Sequence, residues 1–150
     1  MRYPAPPAAA AIARHPIHAT LVPFPIVCFT LTLLTDIAYW RWGNLMWANF
    51  SAWLLFVGIL VGSLAALAGV VDLLARSELR GFSTAWGHGL GNIVVLALAV
   101  LNSLVHARDG WTSVVPQGLM LSSLTVVVMI VTVWLGRSMV FRHGIGVSHE

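Results

Sequence analysis

Histidine is the residue type that could do chemistry in this chain. There are six, His15, His18, His88, His106, His143 and His149, against a single cysteine and five acidic residues. Imidazole is the commonest metal ligand, and it changes protonation near neutral pH. Asp72 precedes Arg76 by one helical turn, and Asn92 and Asn102 lie between His88 and His106. No serine or cysteine is plainly placed beside a base, so nucleophilic or hydrolytic catalysis has little support.

These residues sit in a chain otherwise made for lipid. Stretches 15–35, 42–71, 81–107 and 110–136 contain no Asp, Glu, Lys or Arg. A bilayer core about 30 Å thick needs roughly 20 residues as helix, and the shortest stretch has 21. The pattern predicts an all-α membrane protein, an antiparallel four-helix transmembrane bundle with a proline-broken start to its first helix. One membrane domain covers 1–150, with a flexible tail over 1–14 and spans at about 21–40, 47–75, 86–107 and 115–140. Pro16, Pro23 and Pro25 crowd the first span, and a proline removes a hydrogen bond and crowds the carbonyl four residues back. A short turn near Pro16–Leu21, a break, and then the span proper from Phe24 to Tyr39 are expected. At membrane depth such a break survives only where protein buries it or a cavity lies beside it.

An up-down-up-down order delivers His15, His18, Asp72, His88 and His143 toward one end of the bundle. His106 goes to the other, near Asp36, Arg41, Arg108 and Asp109. On the third span His88, Asn92, Ala99, Asn102 and His106 follow at intervals of 4, 7, 3 and 4. That spacing makes a narrow stripe, which must face the interior because lipid exposure is costly. Two histidines from different helices are what a haem iron needs for axial ligation. His18 and His88 are the first pair, His15 and His143 the alternates, with Arg76, Arg80 or Arg142 available for the propionates. Gly58, Gly62 and Gly69, with Gly87, Gly89 and Gly91, would give the macrocycle room. The 18 residues from His88 to His106 correspond to roughly 27 Å of helix, so one haem suits the bundle better than two. The alternative is a non-haem site of His15, His18, Asp72, His88 and His143, whose nitrogen and carboxylate donors suit zinc, copper or iron.

Each feature also has a plain structural reading. Small residues at four-residue spacing mark helix packing, histidines at span ends are often interfacial, and Asp72 with Arg76 makes an ordinary intrahelical ion pair. Under that reading the chain is a structural or partner-binding subunit without cofactor. A proton-coupled transporter ranks behind these, because four helices need oligomerisation to make a pathway.

All eight basic residues are arginine. Without a basic face interleaved with aromatics, nucleic-acid binding is not expected. Arg2, Arg14, Arg76, Arg80, Arg137 and Arg142 fall on the side of the termini, Arg41 and Arg108 on the other. The positive-inside tendency then puts both termini in the cytoplasm. Trp40, Trp42, Trp47, Trp86 and Trp111 cluster at span ends, as an interfacial belt requires. Cys28 is alone in the first span, so no intramolecular disulfide forms, and the apolar run in the opening segment is too brief for a secretory signal.

The run His15-Pro16-Ile17-His18, then Leu21-Val22 and Phe24-Pro25-Ile26, resembles the opening of a bacterial membrane family known as domain of unknown function 2231. The likeness continues through Asp36, Gly69 to Asp72 and His88, and ends in Val140-Phe141-Arg142-His143-Gly144-Ile145-Gly146-Val147. Many members carry a histidine before the Phe-Pro where this chain has Pro23, which removes a ligand there. The resemblance implies a multi-pass protein of the bacterial inner membrane. Some members are fused to Rieske-type or cytochrome c-type domains, which implies electron transfer by the company they keep.

The expected function is therefore a b-type cytochrome-like electron-transfer subunit rather than a stand-alone enzyme. Its haem b would be held near the cytoplasmic helix ends. Its partners would be the lipid bilayer and other redox membrane subunits or further copies of itself.

Overall fold

The computed structural model describes residues 11–12, 15–107 and 114–143. A short antiparallel pair, β1 (Ala11–Ile12) with β2 (His15–Pro16), leads into the helices. These are α1 (Ile17–Leu21), α2 (Pro23–Trp42), α3 (Leu45–Ala75), α4 (Ser77–Arg80), α5 (Ser83–His106) and α6 (Leu119–His143). Four helical segments, Ile17–Trp42, Leu45–Ala75, Ser83–His106 and Val114–Phe141, are long and apolar enough to cross a bilayer. The 31 residues of α3 reach roughly 46 Å, well beyond a core of about 30 Å. That helix must tilt or project from the membrane.

Prolines shape the start of the first span. The expected break falls at Val22, the one residue between α1 and α2, which itself keeps helical angles (φ −53°, ψ −36°). Pro23 and Pro25 have no N–H for the carbonyls of Ala19 and Leu21. The Val22 N–H still reaches the His18 carbonyl at 3.0 Å, and the Ile26 N–H reaches that of Val22 at a stretched 3.5 Å. The joint lays α1 against α3.

The α2–α3 hairpin turns on two residues. Gly43 adopts φ +65° and donates its N–H to the Tyr39 carbonyl at 2.7 Å, a left-handed helix end that glycine reaches without strain. Asn44 then caps α3, its side chain accepting from the Met46 N–H at 2.9 Å. Between α5 and α6, Val114–Gly118 forms a wide turn in which Val115 is extended (φ −120°, ψ 127°), the conformation a following proline favours.

In the bundle α2 packs on α3 and α6, and α5 packs on α3 and α6. Ser51, Leu55, Gly58, Gly62, Ala65, Ala68 and Asp72 make the buried stripe of α3. In α6, Ser122, Thr125, Met129 and Thr132 do the same. Lipid tails are as apolar as leucine, so helices associate there by close packing rather than by escape from water. The glycines show how close. A Cβ on Gly58 would lie 2.5 Å from Phe29 Cε1, and one on Gly62 would lie 3.0 Å from Leu96 Cδ2. Phe29, Leu55, Val95, Ala99 and Met129 form an apolar layer across the middle. Outside, Trp53, Phe56, Leu64, Leu67, Leu101 and Ile130 are exposed, a surface that would associate in water and suits acyl chains. Thr30, Thr32, Thr125 and Thr132 donate to carbonyls one turn back, so these hydroxyls need no water.

Candidate functional site: two polar clusters at opposite ends

His18 and His88 meet inside the near end of the bundle. Their ring centroids are 5.9 Å apart and their planes cross at 85°. His18 comes from α1, tucked against α3, where its Nδ1 lies 2.8 Å from the Ala65 carbonyl. His88 comes from the second turn of α5, with Nδ1 2.9 Å from the Thr132 carbonyl of α6. A carbonyl only accepts, so both rings carry hydrogen on Nδ1, and a neutral ring so held has its lone pair on Nε2. Metal-ligating histidines are held this way, the second nitrogen fixing tautomer and orientation.

Of the glycines expected to open a slot, Gly69 is taken by an imidazole, as is Gly136 on α6. A Cβ on Gly69 would meet His18 Nδ1 at 3.1 Å, and one on Gly136 would meet His88 Cε1 at 2.9 Å. Gly91 is filled by Thr132, while around Gly89 nothing among the described residues comes within 4 Å. The small-residue stripe thus seats imidazoles and packs helices. Asn92 Nδ2 stands 3.0 Å from His88 Nε2, so ligation at that nitrogen asks the amide to turn aside.

Of the other expected ligands, Asp72 and Arg76 are buried at the end of α3. Arg80 ends α4, and its carbonyl accepts from Trp86 Nε1 at 3.1 Å. The side chains of His15, Arg142 and His143 lie outside what the structure describes, as does all of His149. Among the described residues no three of His, Cys, Asp and Glu are grouped to hold one ion.

The far end holds a second cluster. Asp36 on α2 is wholly buried. Its Oδ1 accepts from Ser51 of α3 at 2.5 Å and lies 3.0 Å from His106 Nε2 of α5. Its Oδ2 accepts from Ser122 of α6. Ser122 in turn accepts from Asn102 Nδ2 at 2.8 Å. One carboxylate thereby ties together all four long helices. The stripe on α5 anticipates Asn102 and His106, whereas Ser51 and Ser122 carry no signal beyond lying on small-residue faces.

A family model described as a predicted membrane protein, domain of unknown function 2231 (DUF2231), matches residues 14–149. The chain belongs to this family. It is a multi-pass membrane protein, and both clusters lie within the DUF2231 region. No match was found among curated proteins or among solved structures.

Proposed function

We propose that this DUF2231 chain is a membrane electron-transfer subunit whose metal centre is held by His18 and His88, with haem iron as the metal. The observation that carries this reading is the meeting of the two imidazoles, each pinned through Nδ1 to a backbone carbonyl. With metal–nitrogen bonds of about 2.0 Å, imidazoles on opposite sides of one ion have ring centres roughly 6 Å apart. The spacing of 5.9 Å is compatible with that arrangement.

The donor set favours haem over a bare ion. A haem supplies four equatorial nitrogens and asks the protein for two axial ligands. A tetrahedral zinc site asks for three or four, more than the described residues bring together here. When bound, a haem would supply one-electron chemistry. The chain's part is to ligate the iron, fix the ring orientations through Ala65 and Thr132, and exclude water with the apolar layer beneath.

A second reading, a bare copper, zinc or iron ion, is favoured by a different observation. The spaces at Gly69 and Gly136 are already filled by the rings, and a single ion needs less room than a macrocycle. The test is the optical spectrum and metal content of the protein purified in detergent. A Soret band that moves on dithionite reduction supports haem, and colourless protein with stoichiometric metal supports the second reading. Folded protein with neither removes both.

A further inference from the structure

The far-end cluster carries an inference independent of any metal. The side chains of His106 and Asp36 are 1% and 0% exposed, and both ring nitrogens of His106 face oxygen. Nδ1 lies 3.0 Å from the Asn102 carbonyl, and Nε2 lies 3.0 Å from Asp36 Oδ1. A carbonyl has no hydrogen to give, so Nδ1 must donate. The contact between Nε2 and Oδ1 then needs a second hydrogen, on one atom or the other. Without it two lone pairs would face each other in a buried site.

Among the described residues no neighbour supplies that hydrogen to the nitrogen. Ser51 and Ser122 donate theirs to the two carboxylate oxygens, and Ser122 accepts from Asn102. Of the charged or titratable groups on these helices, Tyr39 and Arg41 lie farther along α2, and the adjoining ends of α3 and α6 bring none among the described residues. We infer that Asp36 and His106 form a one-proton binding site, holding together one proton more than a carboxylate and a neutral imidazole. The unit then has no net charge, whether as carboxylate with imidazolium or as carboxylic acid with imidazole. That neutrality lets an acid sit inside the bundle, where an uncompensated carboxylate is expensive. Because Asp36 belongs to the α2–α3 hairpin and His106 to the α5–α6 hairpin, the proton also joins the two halves of the protein.

The test is infrared spectroscopy with ring ¹⁵N NMR on the full chain in nanodiscs. Wild type should show either a protonated-carboxyl band that Asp36→Asn abolishes or a doubly protonated His106 ring. An ionised Asp36 beside a singly protonated ring would overturn the inference. Thermal unfolding of variants is the second arm. His106→Gln should lower the midpoint more than Asp36→Asn, and the double variant should recover part of the loss, because the stranded charge has gone. A double variant no more stable than His106→Gln alone would also overturn it.

Discussion

Gly69 and His18 are seated against each other: a Cβ on the glycine would lie 3.1 Å from the imidazole Nδ1 and 3.4 Å from Cε1. The same relation holds between Gly136 and His88. The glycines therefore set where the rings stand, and through the rings the geometry of the proposed metal centre.

Gly69→Ala and Gly136→Ala should each displace a ring. Overpacking of this kind typically costs about 1–3 kcal/mol, and both variants should also lose bound metal. Gly89→Ala is the control, since nothing among the described residues lies within 4 Å of the added methyl. Replacing a glycine inside a helix should there be neutral or stabilise by roughly 0.5–1 kcal/mol. Thermal unfolding in detergent, with metal content measured alongside, checks all three. Equal behaviour of Gly69→Ala and Gly89→Ala would contradict the seating.

A second pair tests the apolar layer. Gly58→Ala places a methyl 2.5 Å from Phe29 Cε1, so the ring must move and stability should fall by about 1–3 kcal/mol. Phe29→Leu in the same chain removes the obstructing ring edge. The double variant should be more stable than the sum of the two single losses predicts, as contacting residues are when one relieves the other. Strict additivity in a double-mutant cycle would show that the two side chains do not press on each other.

The turn between α2 and α3 gives a prediction of backbone origin. Gly43 holds φ +65°, and a methyl added there would meet nothing within 4 Å among the described residues, so the cost expected of Gly43→Ala is conformational. It should destabilise by about 1–2 kcal/mol, and Gly43→Asn by less, because asparagine tolerates the left-handed region. Matched unfolding midpoints for Ala and Asn would deny this.

Around Asp36, Ser51→Ala or Ser122→Ala removes a donor from a buried carboxylate oxygen. Leaving such an acceptor short costs about 1–3 kcal/mol. Thr35→Ala should cost less. Thr35 lies 2.7 Å from Ser51 Oγ and bonds carbonyls of its own helix, but it does not reach Asp36. Unfolding midpoints that rank Thr35→Ala as the most damaging would contradict the network as drawn.

The stripe on α5 shows what could be read from the residues alone. His88, Asn92, Ala99, Asn102 and His106 recur at helical intervals, and polar groups in a span have only one inexpensive direction to face. Ala99, Asn102 and His106 are buried accordingly, and His88 is part-buried against Thr132. What they face is another matter. Serine is common on membrane helices and can bond its own backbone, as Ser123 does with Leu119, so nothing marks Ser51 and Ser122 as partners of Asp36. That pairing depends on which helices are neighbours and at what height. The glycines are ambiguous for a similar reason. A missing side chain advertises room, but whether a cofactor, a phenyl ring or an imidazole takes it is decided by a residue far away in the chain. At the proline joint the expected separate turn and break are present, with Val22 alone between α1 and α2, because Pro23 and Pro25 withhold N–H groups from the carbonyls one turn back.

The most direct measurement is the reduced-minus-oxidised optical spectrum of the purified wild-type chain beside His18→Ala and His88→Ala, each shown to be folded. Axial ligation by this pair predicts a Soret difference band in wild type that both substitutions abolish. A band of full size in either variant, or folded wild type with neither pigment nor metal, would contradict it.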